Sequence, residues 1–302
     1  MGFSKTKFFI LFINSFFIAN YFKKFFFSIS EKKKSSNIKT ICVGNIYLGG
    51  TGKTPLTIKI SQILKQEGIK VATIKKNYSN QKDEQLLLKQ KTSLIITGSR
   101  KDAINQAIKE KYDVLVFDDG LQETKIDFDI KLVCFKSKIW IGNGQLIPAG
   151  PMREKISSLK RFDAVFLNGN SSNFEKIEKQ IKNINLDIKI FKTFYRILDI
   201  QKYNLDTKYL IFSGIGDPFS FKDILIENKF NVVREMIFPD HHDYSLDDLE
   251  KILNIAKNKN LKIITTEKDF MKIPEEFKKE INFLTIDLVI QDEKKLIELI
   301  TK

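Results

Sequence analysis

The sequence predicts an α/β protein: a mostly parallel sheet with helices on both faces, followed by a smaller C-terminal α/β domain. Two observations point there. Beyond residue 37, short apolar runs alternate with amphipathic stretches at the spacing of strand–helix–strand units, and parallel strands need such crossovers. The first apolar run also breaks into a glycine turn that opens a helix, the order in which a phosphate-binding loop is built.

Strands are expected at Ile38–Gly44, Lys70–Ile74, Ser93–Thr97, Asp113–Phe117, Ile130–Phe135 and Asp163–Asn168, each a short apolar run of the kind buried on both faces. Helical periodicity covers Lys53–Gln66, Lys101–Lys111 and Asn173–Asn183. Near Ile188–Asn204 the alternation lapses, and a linker is expected. A second set follows, with Tyr209–Ser213, Phe221–Asn228, Asn231–Phe238, Leu246–Lys257, Lys262–Thr265 and Phe283–Ile286. These runs divide the chain into residues 1–30, a first α/β domain over 31–195 and a second over 196–302. A cleft is expected between the last two.

The turn reads Leu48-Gly49-Gly50-Thr51-Gly52-Lys53-Thr54-Pro55. Gly49, Gly50 and Gly52 let backbone N–H groups curl around phosphate oxygens, and Thr51 and Pro55 complete the cradle and the helix start. Lys53 would reach the β/γ-phosphates, and the Thr54 hydroxyl would ligate Mg²⁺. The strict pattern asks for glycine where Tyr47 stands, but strand, loop and helix keep the order the mechanism requires. The motif therefore predicts a P-loop NTPase-like domain that binds a nucleoside triphosphate. The apolar run Val114–Phe117 ends in Asp118-Asp119-Gly120. Acidic residues at such a strand end face the ligand crevice and are candidates to hold Mg²⁺ opposite Lys53 and Thr54.

Composition narrows the class. A hydrophobic share of 42% and a charged share of 29% exclude a disordered chain. The excess of 51 Lys and Arg over 37 Asp and Glu, a net charge of +14, suggests an anionic partner. No nucleic-acid-binding module is recognisable, so nucleic acid is not the expected partner. Cys42 and Cys134 lie in apolar runs without metal-type spacing, which predicts reduced core thiols in a cytosolic setting.

Residues 1–30 read differently. Phe8 to Phe22 is almost wholly apolar, with Lys5 and Lys7 before it and Lys23, Lys24 and Lys32 to Lys34 behind. A helix of that length reaches about 22 Å, short of the ~30 Å hydrocarbon slab. A helix lying at the membrane surface is expected rather than a span. The lysines behind it would keep the body on the cytoplasmic side.

With these motifs in hand, the chain resembles the tetraacyldisaccharide 4′-kinase family over essentially its whole length. Val43-Gly44-Asn45 leads into the loop, and Asp118-Asp119-Gly120-Leu121-Gln122 follows. The segment Gly142-Asn143-Gly144-Gln145-Leu146-Ile147-Pro148-Ala149-Gly150-Pro151-Met152-Arg153-Glu154 is the most specific match. Gly214 to Pro218, Phe238-Pro239-Asp240-His241-His242 and Thr265-Thr266-Glu267-Lys268-Asp269 mark the second domain. The resemblance implies transfer of the ATP γ-phosphoryl to a sugar 4′-hydroxyl of a lipid A precursor, at the cytoplasmic face of the inner membrane. It implies Asp83 as the base, His241 as its assistant, Lys53 and Asp119 in catalysis, and Glu84, Arg153 and Glu154 in the substrate cleft. No obligate protein partner is inferred. Where the family usually shows Ser-Arg-Gly-Tyr, this chain has Lys75-Lys76-Asn77-Tyr78, and Lys82 replaces the glycine before the catalytic Asp. Two alternatives are a membrane-bound P-loop ATPase, whose signature lysine would stand at Leu48, and a nucleotide-binding scaffold without turnover.

Overall fold

A computed structural model describes residues 38–78, 81–121 and 126–302. The predicted membrane-surface helix lies outside the described residues. Among the described residues, no helix is long and apolar enough to cross a membrane.

The chain opens with β1 (Lys39–Gly44), α1 (Lys53–Gln66), β2 (Val71–Lys76), α2 (Lys82–Lys91), β3 (Leu94–Thr97), α3 (Arg100–Lys109), β4 (Val114–Asp118) and β5 (Ile130–Lys136). It continues with β6 (Ala164–Asn168), α4 (Phe174–Ile184) and β7 (Lys189–Ile197). A second series follows: β8 (Lys208–Ser213), α5 (Pro218–Glu227), β9 (Asn231–Ile237), α6 (Leu246–Asn258), β10 (Lys262–Thr266), α7 (Glu267–Phe270) and α8 (Glu275–Lys278). The chain closes with β11 (Ile281–Leu284), β12 (Ile286–Ile290) and α9 (Glu293–Thr301).

Eight strands form one sheet in the order β12-β7-β6-β5-β1-β4-β2-β3, parallel except for β12. Four more form a parallel sheet in the order β11-β10-β8-β9. Alternate side chains of each large-sheet strand point to opposite faces. Ile41, Val43, Leu132 and Cys134 therefore meet Leu56 and Ile60 of α1 and Leu296 and Ile300 of α9 on one face. On the other face, Cys42 joins Ala103 and Ile104 of α3, while Val133 and Phe135 join Ile177 and Ile181 of α4. Both cysteines are buried thiols outside any disulfide, as expected. Burial pushes the Cys134 thiol up to about 12, so it packs as a small apolar side chain. The centre of the first face includes Phe166, which stacks on Phe191 at 5.0 Å between ring centroids. Phe166→Ala is expected to cost about 3–5 kcal/mol of stability, read as a shift in urea midpoint at constant slope.

Three elements differ from expectation. The stretch expected as a linker holds β7, paired in parallel with β6 and antiparallel with β12. Its burial alternates and its exposed positions carry Lys189 and Arg196, so no continuous apolar run marks it. The run expected at Phe283–Ile286 is split. Its first half belongs to β11 in the small sheet, and Ile286 begins β12, which returns to the large one. Helix α2 carries too few buried side chains, Asp83 and Leu88, to show an amphipathic stripe.

Candidate functional site

The phosphate loop lies at the C-terminal ends of β1 and β4, neighbours near the middle of the large sheet. Gly52 has φ +88°, a left-handed conformation disfavoured for residues with a Cβ. A Cβ there would also come within 2.9 Å of Asn168 Nδ2 and the Tyr195 hydroxyl. At Gly50 a Cβ would stand 3.3 Å from the Gly216 backbone, so the loop touches the second sheet's first strand–helix turn. Helix α1 starts at Lys53 with no described side chain capping it and no acid in its first turn. Its first N–H groups and dipole therefore favour an anion at the loop.

Asp118 ends β4 in full burial, beside Val43 of β1 and Lys75 of β2. It accepts hydrogen bonds from Thr54 Oγ1 at 3.2 Å, Thr57 Oγ1 at 3.3 Å and Lys75 Nζ at 2.7 Å. Asp119 is turned into the left-handed region at φ +58° and pairs with Lys53 at 3.8 Å. Among the described residues no cluster of three or more His, Cys, Asp or Glu could hold a metal alone. Thr54 with Asp118 and Asp119 is a smaller set of hard oxygens. That donor chemistry fits Mg²⁺, which is usually held by one or two carboxylates plus substrate phosphates.

The structure brings Asp83 and His241 together across 158 residues of sequence. Asp83 sits in the first turn of α2, and its two oxygens lie 2.9 and 3.0 Å from His241 Nδ1. Lys268 and Lys272 approach it at 3.4 and 3.5 Å, and the Glu84 N–H donates to it at 2.8 Å. Burial disfavours the ionised form, but the His241 hydrogen bond and the Lys268 charge prevail and hold the carboxyl well below the usual carboxylate range. Asp83 is only 1% exposed, enclosed by these neighbours. The neighbouring His242 serves the fold instead. It stacks on Phe238 and binds Asp248, the N3 residue of the capping box that Ser245 opens at α6.

A cavity of about 350 Å³ runs from the loop to the second sheet. Gly50 to Pro55 line one side, Glu84 and Lys268 another, and Phe221, Ile224 and Leu284 form an apolar wall. Glu84 and Lys268 link it to Asp83, since Lys268 lies 3.4 Å from both carboxylates. Burial disfavours the charged form of Lys268, yet Glu84 and Asp83 overcome this and raise its pKa.

Arg153 and Glu154 are not brought into this cavity. Arg153 is exposed, and Glu154 pairs with Arg161. Their segment supports the loop through its backbone: Leu48 N donates to Pro151 O and Arg153 N to Ile46 O, both at 2.8 Å. Sequence reasoning missed Asn168, Tyr195, Lys75 and Lys268 as site residues. The Asn168 amide donates to the Tyr195 hydroxyl at 3.0 Å beside Gly52. Tyr195 lies in the stretch read as a linker. Lys268 lies inside a quoted motif, but only its spatial partners give it a role.

The sequence profile described as tetraacyldisaccharide-1-P 4′-kinase matches residues 16–302. A tetraacyldisaccharide 4′-kinase of Pelagibacter ubique is 47% identical over 270 residues, covering 89% of this chain and 86% of that protein. One from Rickettsia bellii is 35% identical over 253 residues, covering 78% and 77%. A crystal structure described as LpxK from Aquifex aeolicus in complex with ATP aligns with a TM-score of 0.69 at 24% identity, covering 94% of each chain. That likeness establishes a common fold, a mostly parallel α/β sheet with helices. Matched by the profile over nearly its whole length, the chain belongs to the tetraacyldisaccharide-1-P 4′-kinase family.

Proposed function

We propose that this chain transfers the γ-phosphoryl of ATP to the 4′-hydroxyl of a tetraacyldisaccharide 1-phosphate, the lipid A precursor, to give lipid IVA. One observation supports the reading: the phosphate loop lines a cavity together with Glu84 and Lys268, which adjoin the Asp83–His241 pair. Phosphoryl transfer needs in-line positioning and charge neutralisation more than covalent chemistry, and this layout supplies both.

In this reading the N–H groups of Gly49 to Lys53 cradle the triphosphate, and Lys53 holds the β/γ-oxygens. Thr54, Asp118 and Asp119 would hold Mg²⁺, which supplies charge neutralisation when bound. Asp83 accepts the proton of the 4′-hydroxyl as the new P–O bond forms. His241 orients that carboxylate, and Lys268 keeps it ionised. Glu84 lines the acceptor side of the cavity. Arg153 and Glu154 act through their segment's backbone support of the loop. The basic chain and its apolar N-terminal stretch suit an anionic glycolipid at the cytoplasmic surface of the inner membrane.

The direct test uses γ-labelled ATP with tetraacyldisaccharide 1-phosphate in detergent micelles. Label is expected in the lipid, dependent on Mg²⁺. Folded, ATP-binding protein that leaves the lipid unlabelled would reject the reading and favour a scaffold without turnover.

A further inference from the structure

The buried lysine at the end of β2 has no part in the chemistry described so far, and its surroundings suggest one. Lys75 is only 2% exposed. Its Nζ lies 2.7 Å from Asp118 Oδ2 and 2.6 Å from Glu84 Oε2. The parallel register places Lys75 directly beside Asp118 on the neighbouring strand. Strands pack about 4.8 Å apart, so the two side chains leave the sheet side by side on neighbouring strands. A buried ammonium is costly unless it is paired with good geometry. Here two carboxylates satisfy it, and they come from different elements.

Those two carboxylates face opposite halves of the reaction. Asp118 also accepts from Thr54 in the first turn behind the phosphate loop. Glu84 is next to Asp83 in the first turn of α2, and it meets Lys268 of α7 at 3.4 Å. A continuous polar chain therefore runs from Thr54 through Asp118, Lys75, Glu84 and Lys268 to Asp83 and His241. Lys75 is the only link in it that joins the loop side to α2. No other described hydrogen bond or ion pair ties Asp118 to that helix.

We propose that Lys75 is a positioning residue for phosphoryl transfer, setting the distance between the nucleotide-side carboxylate and the helix that carries the base. The proposal rests on the kinase reading above. With the clamp gone, ATP still meets the loop, but α2 is no longer held in register with it. Displacing a reacting group by about 1 Å costs on the order of 100-fold in rate.

The experiment compares wild type with Lys75→Met, Lys75→Ser and Lys75→Arg. Serine is small enough to admit water between the two carboxylates, and arginine keeps the charge. Turnover is measured with labelled ATP and the disaccharide lipid, affinity by fluorescence of a ribose-labelled ATP analogue with Mg²⁺, and folding by circular dichroism and melting. Wild-type turnover tests the kinase reading separately. The expected result is a fall in kcat of about 100-fold for Met and Ser. Analogue affinity stays within about threefold of wild type, and Arg recovers most of the rate, because the loop contacts are intact. Folded Met or Ser variants with near-wild-type kcat would overturn the proposal. So would a loss of nucleotide affinity that matches the loss of kcat, which would make Lys75 part of the binding loop. Failure of both to fold, while Arg folds but transfers no faster than background, would also overturn it, leaving the ammonium a purely stabilising role.

Discussion

Asp83→Asn is expected to lower turnover about 10²- to 10⁴-fold, the usual contribution of a positioned general base, while ATP affinity changes by less than about threefold. The substitution preserves shape and removes the proton acceptor. His241 Nδ1 contacts both carboxylate oxygens, so the group is held in one orientation, as a base must be. Steady-state kinetics and nucleotide titration check the split; equal losses in rate and affinity would refute the role. The same residue predicts a pH effect on stability. Its folded pKa lies below the ordinary value of 3.8, because the His241 and Lys268 interactions outweigh burial. Its stabilisation is thus complete above the unfolded pKa and is lost progressively as pH falls from there through the lower folded pKa. The gap in melting temperature between wild type and Asp83→Asn should narrow as pH falls from 7 to 3 and close only when pH passes below the folded pKa.

Lys53→Met is expected to reduce kcat/KM by about 10²- to 10³-fold, the typical loss on removing one preorganised charge from a transferring group. Lys53 begins α1, where the dipole and the free N–H groups already favour anions, and it pairs with Asp119 at 3.8 Å. That distance leaves the ammonium loosely held and able to swing to phosphate oxygens. Unlike Asp83→Asn, this change should weaken nucleotide binding as well as turnover, since the β/γ-phosphates are held in both ground and transition states. Lys53→Arg should not restore activity, because a planar fork does not replace a compact point charge in a tight loop. An unaltered ATP affinity in Lys53→Met would contradict the placement of the triphosphate.

The two variants probe opposite sides of the cavity, and they differ in how readable each side was in the sequence. The loop could be read directly, because strand, glycine turn, Lys53 and Thr54 are contiguous and each needs only local backbone geometry. Asp118 and Asp119 were visible for the same reason, at the end of an apolar strand. Asp83 was not legible from its own surroundings. It lies among lysines and polar residues, and only the family resemblance singled it out. The structure then paired it with His241 and separated that histidine from His242, which packs on Phe238 and Asp248 instead.

The sequence alone determined the α/β class, the phosphate loop, the acidic strand end and the family, because these depend on short-range pattern and motif order. Tertiary structure decided the rest. It completed the large sheet with β12 and with β7, whose half-exposed, charge-bearing pattern resembles a linker until the neighbouring strands are present. It excluded Arg153 and Glu154 from the cavity while keeping their backbone on the loop. It also buried Lys75 between Asp118 and Glu84. The physical reason is common to all three: ion pairs and sheet edges are contacts between residues distant in sequence, and no local pattern records which partner the fold will supply.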